Sequence, residues 1–220
     1  MLDVGSNVGQ TAVVVLALTG VETIGLIDAS PDALARAATS LTHSQLIQRA
    51  RFFYGFASAE DAQEVAFFND GFGAAGSKYS QHSSSSLVEH RVPSARVDTI
   101  CDQLGMSPDF IKIDVEGAEA EVLQGIERVA EGGPRILVEM HSNPELTMER
   151  NVELILEQCA RLNYAAWYLA KGERLTGPAP VAHRGRCHLL LQPASEPYPE
   201  WLQGVAQGSA LEPVLRQFAR

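Results

Sequence analysis

Two sets of residues in this chain have the types and spacing for chemistry. The first is Asp3-Val4-Gly5-Ser6-Asn7-Val8-Gly9, followed at once by the apolar run from Thr11 to Leu18. A short strand ending at Gly5 turns through Ser6 to Val8 and enters a helix near Gly9. Glycines at both ends of that turn let the backbone bend tightly and let a ligand approach closely. A helix start beyond them offers free N–H groups and a positive dipole end to a carboxylate, a phosphate or an amino-acid moiety. The same spacing also suits a close-packed strand–helix turn with no ligand. It is neither the Gly-x-Gly-x-x-Gly of dinucleotide binders nor a P-loop. The second set is polar groups closing apolar runs: Asp28 after Thr23–Ile27, Asp114 and Glu116 after Phe110–Ile113, and Glu139 with His141 at the end of Arg135–His141.

These groups need elements to hold them. Thr11–Leu18 reads as a first crossover helix stopped at Gly20, and Thr23–Asp28 as a second strand. Ser30 and Pro31 then supply a cap and first position for a helix over 33–46. Asp28 stands about 20 residues beyond the glycine turn, the spacing of a ribose-binding acid in a βαβ nucleotide unit; an acid capping a strand–helix loop is the other reading. Arg51–Phe56 and Glu64–Phe68 read as strands. Asn69–His90, rich in Gly and Ser, reads as a long loop, either closing over a ligand or simply flexible. Phe110–Asp114 reads as a central buried strand with its end in a ligand crevice. Lys112 within it faces away from Ile111 and Ile113 and needs a partner, either a carboxylate or the polar end of the sheet. Asn151–Leu162 is an amphipathic helix, Tyr164–Leu169 and Cys187–Leu191 are strands, and a short helix starts near Leu211. One domain over 1–220 is expected, with its first strand so close to the start that an upstream element is expected to be missing.

A net charge of −10 over 220 residues argues against a nucleic-acid partner, which needs a basic footprint. No apolar stretch approaches the ~20 residues of a membrane span, and no signal peptide is apparent, so no membrane partner is expected. Cys101, Cys159 and Cys187 are odd in number and far apart. They read as reduced core residues of a cytoplasmic protein.

Asp3–Gly9, Asp28 ahead of Pro31, and Phe110-Ile111-Lys112-Ile113-Asp114-Val115-Glu116-Gly117-Ala118-Glu119 running on to Gly125 together resemble the FkbM family of S-adenosylmethionine-dependent methyltransferases. The resemblance covers Asp3 to about His141, and Ile111–Gly125 is its most specific part. It implies an α/β, Rossmann-like class I methyltransferase fold. The expected sheet has seven strands, mostly parallel, with an antiparallel last strand (Cys187–Leu191) beside Tyr164–Leu169, and helices on both faces. It implies S-adenosylmethionine as cofactor, its methionine part over Gly5, Ser6, Asn7 and Gly9 with Asp3 near the amino group. Asp28 would hold the ribose and the segment around Ala57 the adenine, with Asp114 at the site's edge. The implied reaction is O-methylation of a hydroxyl on a sugar or secondary metabolite, a small-molecule or glycan acceptor. Such a transfer needs a base for the hydroxyl proton. His141 has a suitable pKa, or caps its strand; Asp114 and Glu116 orient the acceptor, hold the loop, or satisfy the backbone near Gly117. His82 is placed to reach in from the loop, and Phe67, Phe68, Phe72 and Tyr79 are candidates for an acceptor wall. Asp114, Glu139 and His141 also form a possible divalent-metal set, though their spacing demands none and no metal is assigned. The competing functions are an NAD-dependent oxidoreductase, against which the glycine spacing speaks, and a non-catalytic cofactor-binding or scaffold protein.

Overall fold

A computed structural model of the chain describes residues 1–61, 63–69, 88–143 and 145–206. The first half alternates strand and helix. β1 (Leu2–Val4), α1 (Gln10–Leu18), β2 (Ile24–Asp28), α2 (Pro31–His43) and β3 (Ala50–Tyr54) are right-sized βα units. Ser30 caps α2, its hydroxyl accepting from the Ala33 N–H at 3.2 Å, with Pro31 at the first position. The expected single strand over Arg51–Phe56 is two. At Gly55 (φ 151°) the chain swings out of the main sheet, at a position that must be glycine because a Cβ there would lie 2.6 Å from the Pro93 carbonyl oxygen. β4 (Phe56–Ala57) therefore joins β5 (Gln63–Asn69) and β6 (Val88–Ala95) in a second, three-stranded sheet. β6 occupies the end of the stretch expected to be loop. Residues 70–87, with Phe72, Tyr79 and His82, and the helix expected near Leu211 lie outside the described residues.

α3 (Val97–Leu104), β7 (Phe110–Ile113), α4 (Glu119–Gln124), α5 (Glu127–Glu131), β8 (Arg135–His141), α6 (Met148–Leu162), β9 (Tyr164–Tyr168), β10 (Glu173–Arg174), β11 (Arg186–Pro193) and α7 (Glu200–Ala206) complete the order. The main sheet runs β10-β9-β11-β8-β7-β1-β2-β3, eight strands where seven were expected. The extra one is β10, a two-residue edge that pairs Glu173 with Tyr168 and Arg174 with Trp167. β11 is antiparallel to both neighbours, as expected of the last strand.

Two apolar layers cover the sheet. One packs Ile24, Leu26, Leu16, Ala37 and Leu41 between α1, α2 and one face. The other packs Val4, Ile27, Ile111, Ile113, Val122, Leu123, Val152 and Ile155 under α3–α6. All three cysteines are buried and unpaired. Burial pushes their thiols up to about 11 (Cys101), 12 (Cys159) and 11 (Cys187), so all three stay protonated near neutrality. Among the described residues no helix is long and apolar enough to cross a membrane.

This topology fixes where ligands can bind. β1 is hydrogen-bonded to β2 on one side and β7 on the other, all parallel, so the chain leaves the sheet in opposite directions from its middle. At such a switch point the loops after the strands part and leave a crevice at their C-terminal ends. Gly5, Asp28, Asp114 and His141 all stand at that edge.

Candidate functional site

The crevice is lined by the glycine turn (Gly5, Asn7), the end of β2 (Asp28, Ala29, Ser30), the second sheet (Phe56, Ala57, Phe67) and the turn after β7 (Asp114, Val115, Glu116). The turn itself is wound left-handed: φ is 76° at Gly5, 48° at Asn7 and 75° at Gly9. Gly5 passes so close to β7 that a Cβ would lie 1.8 Å from the Asp114 carbonyl oxygen. Gly9 has a different reason to be glycine. Its Cβ would meet the Ala37 methyl at 2.7 Å, so Gly9 lets α1 pack on α2 and does not line the crevice.

Asp28 clamps this turn. One carboxylate oxygen accepts from the Asn7 N–H at 2.7 Å and the other from the Ser30 N–H at 2.8 Å. The Ala29 backbone also bonds to this carboxylate, and of the roughly four acceptor positions a carboxylate has, about one is left for a hydroxyl group in the crevice. Burial raises the Asp28 pKa, and the bonds from Ser30 and Asn7 only partly offset it. Asp3 lies two residues before Gly5 and is fully buried. Burial pushes its carboxyl up to about 6 against the pull of Lys112, whose ammonium stands 3.4 Å away. That contact is an ion pair without an aligned hydrogen bond; both Asp3 oxygens and the buried Ser6 hydroxyl lack hydrogen-bond partners. Lys112 sits opposite Asp3 in the strand register and also donates to Asp114 at 3.1 Å, which supplies the partner it needs in the form of two carboxylates. Burial depresses the Lys112 pKa, but these two carboxylates outweigh it and the net shift is upward.

Across the turn after β7 lies His141. It is not among the residues lining the crevice, but its Nε2 faces Asp114 at 3.9 Å, Glu116 at 3.8 Å and Glu139 at 3.7 Å. Its Nδ1 is 3.0 Å from the Glu119 carboxylate, whose other oxygen accepts from Asn151. Asn151 also donates to the His141 carbonyl at 2.9 Å, and Glu119 accepts from the Gly117 N–H at 3.0 Å. Burial pulls the His141 pKa down; the Glu119 hydrogen bond and the charges of Glu116, Glu119 and Asp114 overcome this, and the net shift is upward. Glu116 adopts φ 54° and Gly117 φ 103°, so the chain reverses here to bring Glu116 and Glu119 to the same imidazole.

The structure thus brings Gly5, Asn7, Asp28, Ala57, Asp114 and Glu116 to one crevice, with Asp3 and Ser6 buried in the neighbouring β1 and turn, and His141 beyond it. Sequence reasoning missed Glu119 and Asn151, both fully buried. For Glu119 a signal existed. It shares a helix face with the core residues Val122 and Leu123 at i+3 and i+4, whereas Glu121 does not.

A model of the FkbM methyltransferase domain matches residues 3–164. Comparison with curated protein sequences gives no match. Among solved structures, the FkbM methyltransferase of Methylobacillus flagellatus is 18% identical with a TM-score of 0.53, over 87% of this chain and 42% of that one. This chain therefore spans less than half of that relative's length. A candidate rRNA-methylase of Clostridium thermocellum is 14% identical with a TM-score of 0.52, over 89% of this chain and 87% of its own. At these identities the likeness is one of fold.

Proposed function

The chain belongs to the FkbM methyltransferase family, and on that footing we propose that it methylates a hydroxyl oxygen of a small molecule or glycan, such as a sugar or secondary metabolite, with S-adenosylmethionine as donor. The observation that carries this is the Asp28 clamp at the switch point: a left-handed glycine turn held by a carboxylate that itself lines the crevice. The residues fit the cofactor's chemistry. Asp3 and the Ser6 hydroxyl offer buried, unmatched acceptors at the turn for an amino-acid moiety. Asp28 offers the ribose a carboxylate acceptor, and Phe56, Ala57 and Phe67 offer an apolar wall for a base.

When bound, S-adenosylmethionine supplies a methyl carbon on a positively charged sulfur. The chain's own work is to hold an acceptor oxygen in line, roughly 3 Å from that carbon, and to take its proton. Asp114 and Glu116 line the crevice where the acceptor enters and orient its hydroxyl. The proton goes to the Glu116–His141 pair at the crevice's edge, where Nε2 faces the Glu116 carboxylate at 3.8 Å and Nδ1 is engaged by Glu119. Three buried, unpaired cysteines suit a reducing, cytoplasmic setting.

Calorimetric titration with S-adenosylmethionine and S-adenosylhomocysteine, on wild type and Asp28→Ala, tests the proposal. Saturable binding weakened by the substitution is expected. A folded wild-type protein that binds neither compound would overturn it. In turnover assays His141→Ala should lose about 10²–10⁴-fold in rate with cofactor affinity retained.

A further inference from the structure

His141 presents an arrangement that a proton alone explains poorly. Three carboxylates surround its Nε2 at 3.7–3.9 Å, and none is within hydrogen-bonding distance. A charged imidazole free to pair with one of them would draw it to about 2.8 Å. Ligands bound to one divalent ion at about 2.1 Å stand roughly 3–4 Å apart, the separation seen here. Donor atoms of Asp114, Glu139 and His141 all lie within 4.8 Å of one another, and the three residues come from the ends of two adjacent parallel strands. The other ring nitrogen is engaged by Glu119, a fully buried carboxylate outside the triad, itself bound by Asn151. A buried carboxylate on the far nitrogen is what orients a metal-binding histidine and fixes its tautomer. Lys112 occupies only the Asp114 oxygen turned away from His141. Glu139 pairs with Arg186 at 3.1 Å through the oxygen that also faces His141, and with His188 at 3.2 Å through the other; Arg186 is mostly exposed and His188 half-exposed, so an ion has only to displace Arg186 from the inner oxygen.

We propose that Asp114, Glu139 and His141 bind one divalent cation, with Glu119 as the residue that positions His141. Two carboxylates and one imidazole suit Mn²⁺, with Mg²⁺ as the harder competitor. The role of the ion rests on the methyltransferase reading. It holds the acceptor hydroxyl in an open coordination position and makes it more acidic, and the proton passes to Glu116. His141 is then a ligand and not the proton acceptor.

The test is titration of chelator-stripped, desalted protein with Mn²⁺, followed by calorimetry and by loss of the free-ion electron paramagnetic resonance signal. One saturable site is expected, weakened at least tenfold in His141→Ala and in the isosteric Glu139→Gln. Glu119→Gln should weaken it about 10- to 100-fold. S-adenosylmethionine titration of the same stripped protein reports separately on the cofactor site and on folding. A stripped protein that binds the cofactor but takes up no Mn²⁺ overturns the ion site and leaves the Glu116–His141 pair as base. Unchanged Mn²⁺ affinity in both His141→Ala and Glu139→Gln overturns it equally. Mn²⁺ uptake without cofactor binding leaves the ion site standing and removes the methyltransferase role.

Discussion

Asp3 is the residue whose burial has the clearest thermodynamic consequence. Its carboxyl ionises near 6 in the folded chain against about 3.9 in an unfolded one. The folded state therefore holds the proton more tightly. The stabilisation this gives is complete below pH ~4 and is lost as pH rises through 6. Asp3→Asn removes that dependence and leaves Lys112 its contact with Asp114 at 3.1 Å. The melting temperature of the variant relative to wild type should rise between pH 4 and pH 7, by several degrees for a difference on the order of 3 kcal/mol. Parallel melting profiles across that range would show that Asp3 does not titrate as its burial dictates. At Asp28 the prediction concerns affinity. Asp28→Asn keeps the shape and loses the charge-assisted bonds, so S-adenosylmethionine should bind about 10- to 100-fold more weakly. Calorimetry on a variant with wild-type circular dichroism checks it.

At the scale of elements, the glycine turn works by bringing β1 against β7 closely enough to share one crevice. Gly5→Ala forces a side chain onto a left-handed residue and into the Asp114 carbonyl, and neither backbone can yield. It should cost more than about 1 kcal/mol in urea denaturation. Gly20→Ala, with nothing within 4 Å, should be neutral or stabilising by up to about 1 kcal/mol. Equal midpoints for the two variants would contradict the account of the turn. The contrast also shows what the sequence discloses. Gly5 and Gly9 look equivalent in sequence, yet one closes on a neighbouring strand and the other on a neighbouring helix; that difference is long-range packing. The βα alternation, the Ser30–Pro31 helix start and the need of Lys112 for a partner were legible, because periodicity, capping and the cost of a lone buried charge act locally. The break at Gly55 was not, since it answers to the Pro93 carbonyl 38 residues on. β10 was invisible for a similar reason: two residues have no pattern, and only pairing with β9 makes them a strand. Asn151 reads as one more polar position on an amphipathic helix until the fold sets it against Glu119 and His141.

Over the whole molecule, the crevice draws on parts that belong to different layers. Gly5, Asn7 and Asp28 come from the β1–β2 side, Asp114 and Glu116 from the turn after β7, and Phe56, Ala57 and Phe67 from the second sheet. A ligand that touches all three stabilises the folded state against one cooperative opening, not a single loop. At 100 times its dissociation constant such a ligand adds about 2.7 kcal/mol. For a chain of this size that raises the melting temperature roughly 5–10 °C. S-adenosylmethionine should give that shift. NAD should give none, because its pyrophosphate needs close backbone approach at the second glycine of Gly-x-Gly-x-x-Gly, and the corresponding position in this turn is Asn7. A thermal-shift comparison of the two ligands at matched concentrations separates methyltransferase from dehydrogenase without knowledge of the acceptor. A shift with NAD and not with S-adenosylmethionine would mean that the Asp28 clamp serves a dinucleotide ribose. A shift with S-adenosylmethionine that disappears in Asp28→Asn would tie the stabilisation of all three parts to one carboxylate.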